Sequence, residues 1–324
     1  MPNRFLSTFL LLISLSFIAS SNDILTDYRN NGINEIEKTM DIQLTKTDYW
    51  NKYLQSQNTQ FGYIESYSNI LTCNKEKSTL DVYMLDNNNT YTLQREYAAY
   101  TGKNKGDKFR EGDLRTPIGI YTLTQKISKL DSFYGPLAFV TSYPNSYDKY
   151  MGRDGHGIWI HGLPTDKQRD DFTKGCIAIN NKSIKCLEKH IDIDKTLLII
   201  NQDDVEHNVS KEKLSLILSN LYSWRYTWLY NNIDNYLDFY STDFIRFDGM
   251  TYTDFVNYKQ RIFKKVEKKR IIFKNINVIP YPNSENMYKI SFKELYKSTS
   301  FEFTGNKVLI VKLVDNRMKI ITEK

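Results

Sequence analysis

Cysteine and histidine are scarce in this chain, which has three cysteines and four histidines among 324 residues. Three cysteines are too few for the disulfide framework of a small secreted domain. No group of cysteines and histidines has the spacing of metal ligands, and no glycine-rich loop is placed to bind a phosphate. We therefore predict that the protein works without a metal ion or another cofactor.

Long apolar runs are also lacking, except for a short one at the N-terminus. Residues 5–18 are mostly apolar, follow Arg4 and precede Ala19, Ser20 and Ser21. A membrane-spanning helix needs about 20 apolar residues, whereas a shorter run with a basic start and a small-residue end is typical of a secretory signal peptide. We predict that residues 1–21 are a signal peptide and that the mature protein is exported.

Neither sign of charge dominates, because 44 basic and 38 acidic residues leave a formal net charge of +6. Removal of the signal peptide removes Arg4 and leaves +5. The lysines are scattered and no nucleic-acid-binding motif accompanies them, so the sequence predicts no nucleic-acid partner. A mild positive charge suits a protein that acts on an anionic polymer.

The remaining chain divides into three predicted parts. Residues 22–70 are polar and partly helical, and we predict an N-terminal arm that packs on the body of the protein or forms a homodimer. Residues 71–202 carry short strands separated by Asn, Asp and Gly turns, which favours a mostly-β, antiparallel domain. The predicted strands are residues 80–85, 90–93, 119–124, 137–142, 157–160 and 196–200.

A polar linker, residues 202–211, precedes a second predicted domain over residues 211–324. Apolar and aromatic residues first recur at helical spacing, from Leu214 to Trp228, and a second aromatic helix is predicted over residues 236–244. Later segments alternate polar and apolar residues as strands do. Helices followed by an antiparallel sheet predict an α+β domain with the shape of a cone.

A histidine and a cysteine stand beside glycines in the first domain. His161 and Gly162 end an apolar segment, and Gly175 and Cys176 begin another. A thiol near an imidazole can act as an activated nucleophile, although a buried thiol and a structural histidine are common alternatives. The glycine before Cys176 lets a backbone amide approach an oxyanion without a side chain in the way.

These residues resemble the signature of the YkuD-type L,D-transpeptidase catalytic domain, in which His-Gly is followed by Ser/Thr-x-Gly-Cys, here Thr173 to Cys176. Further matches lie upstream, and the resemblance covers residues 70–201. They are Gly106-Asp107-Lys108, Glu111-Gly112-Asp113, Arg115-Thr116-Pro117-Ile118-Gly119, and Tyr143-Pro144-Asn145 with Asp148. Two positions depart from the common pattern, because Lys174 stands where many members have histidine and Ala178 where they have arginine.

The layout of the whole chain is similar to the periplasmic L,D-carboxypeptidases that set helical cell shape in Campylobacter and Helicobacter. Residues 224–228 with Phe239 and Tyr240 resemble the NTF2-like family. The resemblance implies a periplasmic enzyme that trims peptidoglycan tetrapeptide stems to tripeptides. An L,D-transpeptidase that forms crosslinks and a non-catalytic wall-binding module are the alternatives, whereas a carboxylate-dependent hydrolase needs paired acids that the sequence does not offer.

The resemblance also assigns roles. Cys176 is the expected nucleophile, His161 the base, and the Gly162 carbonyl the group that orients the imidazole. The amides of Gly175 and Cys176 are the expected oxyanion hole. Because the second domain offers no catalytic group, we expect some activity to survive deletion of residues 211–324.

Cationic and aromatic residues near the motif are candidates for holding the substrate. They are His156, which is also the second choice of base, Arg153, Trp159, Arg169 and Lys174. Cys73 and Cys186 either form a disulfide or remain separate thiols. The aromatic stripe of the second domain predicts a core, or else a pocket for glycan or a protein partner.

Three Asn-x-Ser/Thr sites occur, at Asn88, Asn181 and Asn208, and an acid lies two residues before Asn88 and before Asn208. This extended pattern resembles the acceptor of the periplasmic N-glycosylation system of Campylobacter, with chance in an Asn-rich chain as the alternative. We expect glycans at Asn88 and Asn208 that leave the chemistry unchanged. The intact mass of protein from its native host tests this expectation.

Overall fold

A computed structural model describes residues 4–165 and 170–324, with side chains from residue 23 onward. The helices are α1 Arg4–Leu44, α2 Thr47–Leu54, α3 Ser146–Tyr150, α4 Asn181–His190, α5 Lys211–Leu229, α6 Ile233–Leu237 and α7 Tyr252–Phe263. The strands are β1 Tyr63–Ile64, β2 Asn69–Asn74, β3 Thr79–Leu85, β4 Tyr91–Tyr100, β5 Gly119–Ile127, β6 Ala138–Thr141, β7 Trp159–His161, β8 Ile177–Ile179, β9 Thr196–Asn201, β10 Arg270–Pro280, β11 Met287–Lys297, β12 Glu302–Val314 and β13 Arg317–Glu323.

Eight strands close into a barrel in the order β2-β3-β4-β8-β7-β6-β5-β9. Most neighbours are antiparallel, as the turn-rich sequence predicts, but β2 with β9 and β7 with β8 are parallel pairs. The interior is filled by alternate apolar side chains such as Leu71, Tyr121 and Leu198, which are all fully buried. The predicted mostly-β fold is confirmed.

The second domain is a five-stranded antiparallel sheet, β1-β10-β11-β12-β13, packed against α5, α6 and α7. Its core is aromatic, and Trp224 and Tyr236 are fully buried with their rings stacked at 5.8 Å. The predicted α+β order is therefore confirmed. The predicted helix over residues 236–244 is wrong in length, because α6 ends at Leu237 and residues 240–241 instead pair with Ile320 of β13.

The two domains share a hydrophobic cluster. The outward-facing side chains of three barrel strands, Ile70, Ile120 and Ile199, are each at most 1 % exposed. They pack with Ile279 and Tyr281 of the second domain, and the Lys289 ammonium donates to the Ile120 carbonyl at 3.1 Å. These barrel strands are thus buried on both faces, and the second domain supplies the outer layer.

The N-terminal segment contains helices α1 and α2 and then strand β1. The backbone of α1 is interrupted at Gly32, where φ is +76°, and Asp41 near its end pairs with Arg225 of α5 at 2.7 Å. Farther along, β1 joins the sheet of the second domain, where Tyr63 pairs with Val278. Among the described residues, no helix is both long and apolar enough to cross a membrane. Signal-peptide cleavage and dimerisation through the arm stay predictions.

Cys73 and Cys186 are not joined in a disulfide. Cys73 lies in β2 and is fully buried inside the barrel, where burial raises the pKa of its thiol to about 12. Cys186 lies in α4 and is half-buried, with its sulfur 3.7 Å from Nδ1 of His190. Of the two alternatives that the sequence left open, the structure shows separate thiols.

Candidate functional site

The end of β7 fixes an imidazole. His161 is 1 % exposed, and its Nδ1 lies 2.6 Å from the carbonyl oxygen of Gly162. A carbonyl can only accept a hydrogen bond, so Nδ1 carries the proton in this contact and Nε2 keeps its lone pair. That tautomer is the one a general base needs. The structure thus places the Gly162 carbonyl where the motif predicts an orienting group.

The turn before β8 carries the thiol. β8 runs parallel to β7 with Ala178 opposite His161, so Cys176 lies one strand away from the imidazole. Its side chain is half-buried, and the sulfur lies 3.4 Å from the carbonyl oxygen of Gly157, which precedes β7. Two neighbouring strands therefore present a thiol and a base at the same side of the barrel.

Thr173 closes the turn that holds the thiol. Its hydroxyl donates to the carbonyl of Cys176 at 2.6 Å and accepts from the amide of Gly175 at 3.0 Å. Gly175 has a φ of +136°, and a Cβ there would lie 2.8 Å from the carbonyl oxygen of Arg115. Only glycine fits this conformation and this contact. Thr173 was not among the predicted site residues, although the Ser/Thr position of the motif indicated it.

The structure affects one of the two amides that were predicted to form the oxyanion hole, that of Gly175. The Gly175 amide already donates to the Thr173 hydroxyl in this structure, so we no longer assign it to the oxyanion hole. The amide of Cys176 remains the predicted donor, at the position where backbone amides stabilise oxyanions in acyl transfer.

An aromatic residue that the motif does not contain covers the imidazole. The ring of Tyr134 lies edge-to-face with His161 at 5.2 Å between centroids, and at 5.1 Å from the ring of Trp159. Trp159 is half-buried and remains a candidate for contacting substrate. Tyr134 ends a short 3-10 helix, Ser132–Tyr134, 27 residues before His161, and only its place before Gly135 and Pro136 indicated a constrained position.

Arg153 is not available to bind a stem carboxylate, so that prediction is wrong. Its guanidinium pairs with Asp107 at 2.5 Å and with Asp148 at 3.0 Å, and its side chain is 8 % exposed. Asp148 is fully buried and also forms a capping box with Asn145 at the start of α3. The arginine thus satisfies buried carboxylates beside the segment that leads to Gly157.

The other predicted substrate residues differ in position. His156 is exposed, and its Nδ1 lies 3.7 Å from Oε2 of Glu111. It forms no hydrogen bond with the Gly162 carbonyl, which accepts from His161 instead. Lys174 is exposed beside the thiol turn. Arg169 lies outside the described residues. His156, Trp159 and Lys174 therefore stay candidates for substrate binding.

A second candidate site lies in the second domain, as a cavity of about 500 Å³ lined by aromatic and charged side chains. Lys259 is 7 % exposed there, with its ammonium 4.7 Å from the Trp228 ring centroid. Lys307 pairs with Glu323 at 2.5 Å. Oε2 of Glu294, a residue that is 2 % exposed, has no hydrogen-bond partner among the described residues. An unsatisfied buried acceptor is costly, which suggests a ligand that donates to it.

Charge pairing governs this cavity. Burial acts to raise the pKa of Glu323, but Lys307 and Lys259 lower that pKa to about 2. Burial lowers the pKa of Lys259 to about 8 in spite of the nearby Glu323. Burial likewise raises the pKa of Glu294, against the effect of Lys307. The cavity therefore holds several charges that a stable core would avoid.

We expect Lys259→Met to raise the melting temperature at pH 7. The folded-state pKa of Lys259 lies near 8, below the ordinary 10.5, which corresponds to a cost of the order of 3 kcal/mol when the group is protonated. Wild-type stability gains from deprotonation as pH rises from 8 to 10.5. The difference in melting temperature should therefore shrink over that range, as thermal unfolding measured against pH will show.

The exposed Lys265, which lines the same cavity, gives the control. Lys265→Met should leave the melting temperature unchanged at every pH. A Lys259→Met protein that is no more stable than the wild type at pH 7 contradicts the expectation.

Comparison with known proteins gives matches to both domains. Residues 68–200 match the L,D-transpeptidase catalytic domain (YkuD), and residues 216–324 match the Cds6 C-terminal NTF2-like domain. The putative L,D-transpeptidase YafK of Escherichia coli K12 is 35% identical over 112 residues, or 34% of this chain and 42% of YafK. The chain thus spans about two fifths of the length of the curated relatives it matches.

Solved structures of two proteins match most of the chain. The helical cell shape determining protein Pgp2 from Campylobacter jejuni is 36% identical with a TM-score of 0.79, covering 86% of this chain and 99% of Pgp2. Bd1075 from Bdellovibrio bacteriovorus is 26% identical with a TM-score of 0.65, covering 83% and 96% respectively. With the His161 and Cys176 geometry in place, the chain belongs to the YkuD L,D-transpeptidase family, in a form that also carries a C-terminal NTF2-like domain.

Proposed function

We propose that the protein is a periplasmic peptidoglycan L,D-carboxypeptidase that removes the terminal D-alanine from tetrapeptide stems and so affects cell shape. The observation that carries the proposal is the imidazole with its Nδ1 held by the Gly162 carbonyl, one strand from the Cys176 thiol. The match to the L,D-transpeptidase catalytic domain supports the link to the cell wall, and the similarity to Pgp2 over both domains supports the link to cell shape.

Each proton in the proposed reaction has a place. Nε2 of His161 takes the proton of the Cys176 thiol, and the thiolate attacks the carbonyl at the L-centre of meso-diaminopimelate. The amide of Cys176 stabilises the oxyanion. The imidazolium then protonates the amine of the departing D-alanine, which leaves a thioester on the enzyme.

Water completes the cycle. His161 accepts a proton from the attacking water, and the thioester breaks to release the Cys176 thiolate, which takes that proton back from His161. The tripeptide leaves with a free carboxylate. If an amine of another stem takes the place of water, the product is a crosslink, and the protein is an L,D-transpeptidase. That alternative is the activity in the name of YafK. A wall-binding module without catalysis is the second alternative.

The cavity of the second domain is the proposed contact with a further part of the wall or with a protein partner. Its lining includes the exposed rings of Phe247, Phe301 and Phe303, which offer ring faces, and the buried Glu294 offers an acceptor. Sugar rings stack on such faces, and their N–H and O–H groups donate to carboxylates. Glycan is therefore the favoured occupant over a protein segment.

The decisive experiment is incubation of purified protein with disaccharide-tetrapeptide muropeptides and identification of the products by mass. Loss of one alanine residue per stem supports the carboxypeptidase. Dimers of higher mass indicate the transpeptidase. Retention of unchanged muropeptides by an inactive protein indicates the binding module and overturns the proposed function.

A further inference from the structure

The peptide bond between Gly162 and Leu163 is held at both ends. Its carbonyl, on Gly162, accepts the hydrogen bond from Nδ1 of His161 at 2.6 Å. Its amide, on Leu163, donates to Oδ1 of Asn181 at 2.8 Å. Because a peptide unit is planar, fixing the direction of its N–H fixes the direction of its carbonyl. Asn181 and His161 thus form hydrogen bonds with the two ends of one planar peptide unit.

Asn181 is packed tightly against this peptide. It is the first residue of α4, and its Oδ1 lies in a slot between two glycines. A Cβ on Gly162 would lie 2.4 Å from that oxygen, and a Cβ on Gly135 would lie 2.6 Å from it. Gly135 also has a φ of +72° and packs on the backbone of Gly162. The glycines let the amide side chain approach, which explains why both positions lack a side chain.

Helix capping does not account for Asn181. The N-cap of α4 is the preceding residue, Asn180, whose side chain accepts from the amide of Ser183 at 2.8 Å. Capping residues satisfy the free amides at a helix start. The Oδ1 of Asn181 points instead at a loop 18 residues earlier in the sequence, directly beside the base.

We propose that Asn181 is a positioning residue that sets the peptide plane between Gly162 and Leu163 and thereby keeps His161 in the tautomer with Nδ1 protonated. The inference rests on the proposed function, in which Nε2 of His161 must accept the thiol proton. Without Asn181, the peptide can rotate and present its N–H in place of its carbonyl. Nδ1 would then accept a hydrogen bond, and the proton would move to Nε2, which disables the base.

Three variants test the assignment through turnover of tetrapeptide muropeptides. Asn181→Ala removes the acceptor, and we expect kcat to fall roughly 10²-fold with little change in KM, since a misplaced catalytic group costs about this much. Asn181→Asp keeps an acceptor oxygen and should retain most of the turnover. Asn180→Ala is the matched control, which should lower the melting temperature and leave kcat unchanged.

The tautomer itself is measurable without turnover. Protein labelled with [15N]histidine reports which ring nitrogen carries the proton, and the His161 signals are assigned by their loss in His161→Gln. We expect a protonated Nδ1 in the wild type and in Asn181→Asp, and a loss of that preference in Asn181→Ala.

Wild-type kcat and an unchanged tautomer in Asn181→Ala overturn the inference. If Asn181→Ala does not fold, Asn181→Asp decides, because a defect in both turnover and tautomer shows that the acceptor is not what matters. A wild-type protein without activity on muropeptides overturns the proposed function instead, and the nitrogen signals still decide the role of Asn181.

Discussion

The variant Cys176→Ala should no longer release tripeptide from tetrapeptide muropeptides. His161→Ala should lower the rate of this release by roughly 10⁴-fold or more, as removal of the nucleophile or the base does in other acyl-transfer enzymes. The losses should be chemical. The Cys176 side chain is half-buried and its sulfur contacts the Gly157 carbonyl, so the melting temperature of Cys176→Ala should change little. Product masses and thermal unfolding provide the two measurements.

The chain offers a matched control for each variant. Cys186 is also a half-buried thiol, and His190 is a histidine at the end of α4, and both lie outside the motif. Cys186→Ala and His190→Ala should keep wild-type turnover. Tripeptide release at the wild-type rate by Cys176→Ala or by His161→Ala would falsify the cysteine mechanism.

Deletion of residues 211–324 should leave the barrel unable to fold, contrary to the expectation drawn from the sequence. Ile70, Ile120 and Ile199 lose their cover of Ile279 and Tyr281 in such a fragment. Burial of an isoleucine contributes about 1.5–3 kcal/mol, and a typical domain has a net stability of about 5–15 kcal/mol. Exposure of these side chains therefore removes much of the available stability.

Circular dichroism and thermal unfolding of residues 22–210 test this result. The full chain with Lys259→Met is the control, because it keeps the shared cluster and changes only the distant cavity. Its turnover of soluble muropeptides should match that of the wild type. A fragment that unfolds cooperatively near the melting temperature of the full chain and releases tripeptide would show that the barrel is independent.

The sequence pattern indicated the local geometry of the candidate site because motif residues act through the backbone. A glycine is required where a Cβ would strike Arg115, and a Ser or Thr is required to close the turn before Cys176. These needs leave a readable pattern of residue types. Arg153 was misassigned because its partners, Asp107 and Asp148, are 46 and five residues away, and a cation in sequence carries no mark of its ion pairs.

The contact between the two domains was not predicted from the sequence, although one pattern in the sequence indicated it. After Thr196, residues 197–200 of β9 are all apolar. Such uninterrupted apolar strands are typical of sheets that are covered on both faces. Alternation puts Leu198 inside the barrel and Ile199 against the second domain. A strand of a barrel with one solvent-facing side would have alternated polar and apolar residues.

The predicted helix over residues 236–244 shows that buried residues can recur at helical spacing without forming a helix. Tyr236, Tyr240 and Phe244 recur every four residues and all are buried. Tyr240 lies in an isolated β-bridge with Ile320, and its hydroxyl donates to Glu323 at 2.7 Å. Pairing of the following residues with β13 satisfies the backbone groups that a longer helix would have bonded internally.

The burial of Cys73 has a consequence for the redox chemistry of the enzyme. Thiol–disulfide exchange proceeds through the thiolate, and a thiol with a pKa of about 12 that is closed inside the barrel is neither ionised nor reachable by an oxidant. Of the three cysteines in the chain, Cys73 therefore cannot capture the nucleophile as a dead-end disulfide while the barrel is folded. Folding itself keeps one competing sulfur away from Cys176, so the thiolate of the proposed mechanism would need no dedicated reductant for that pair in the proposed oxidising compartment.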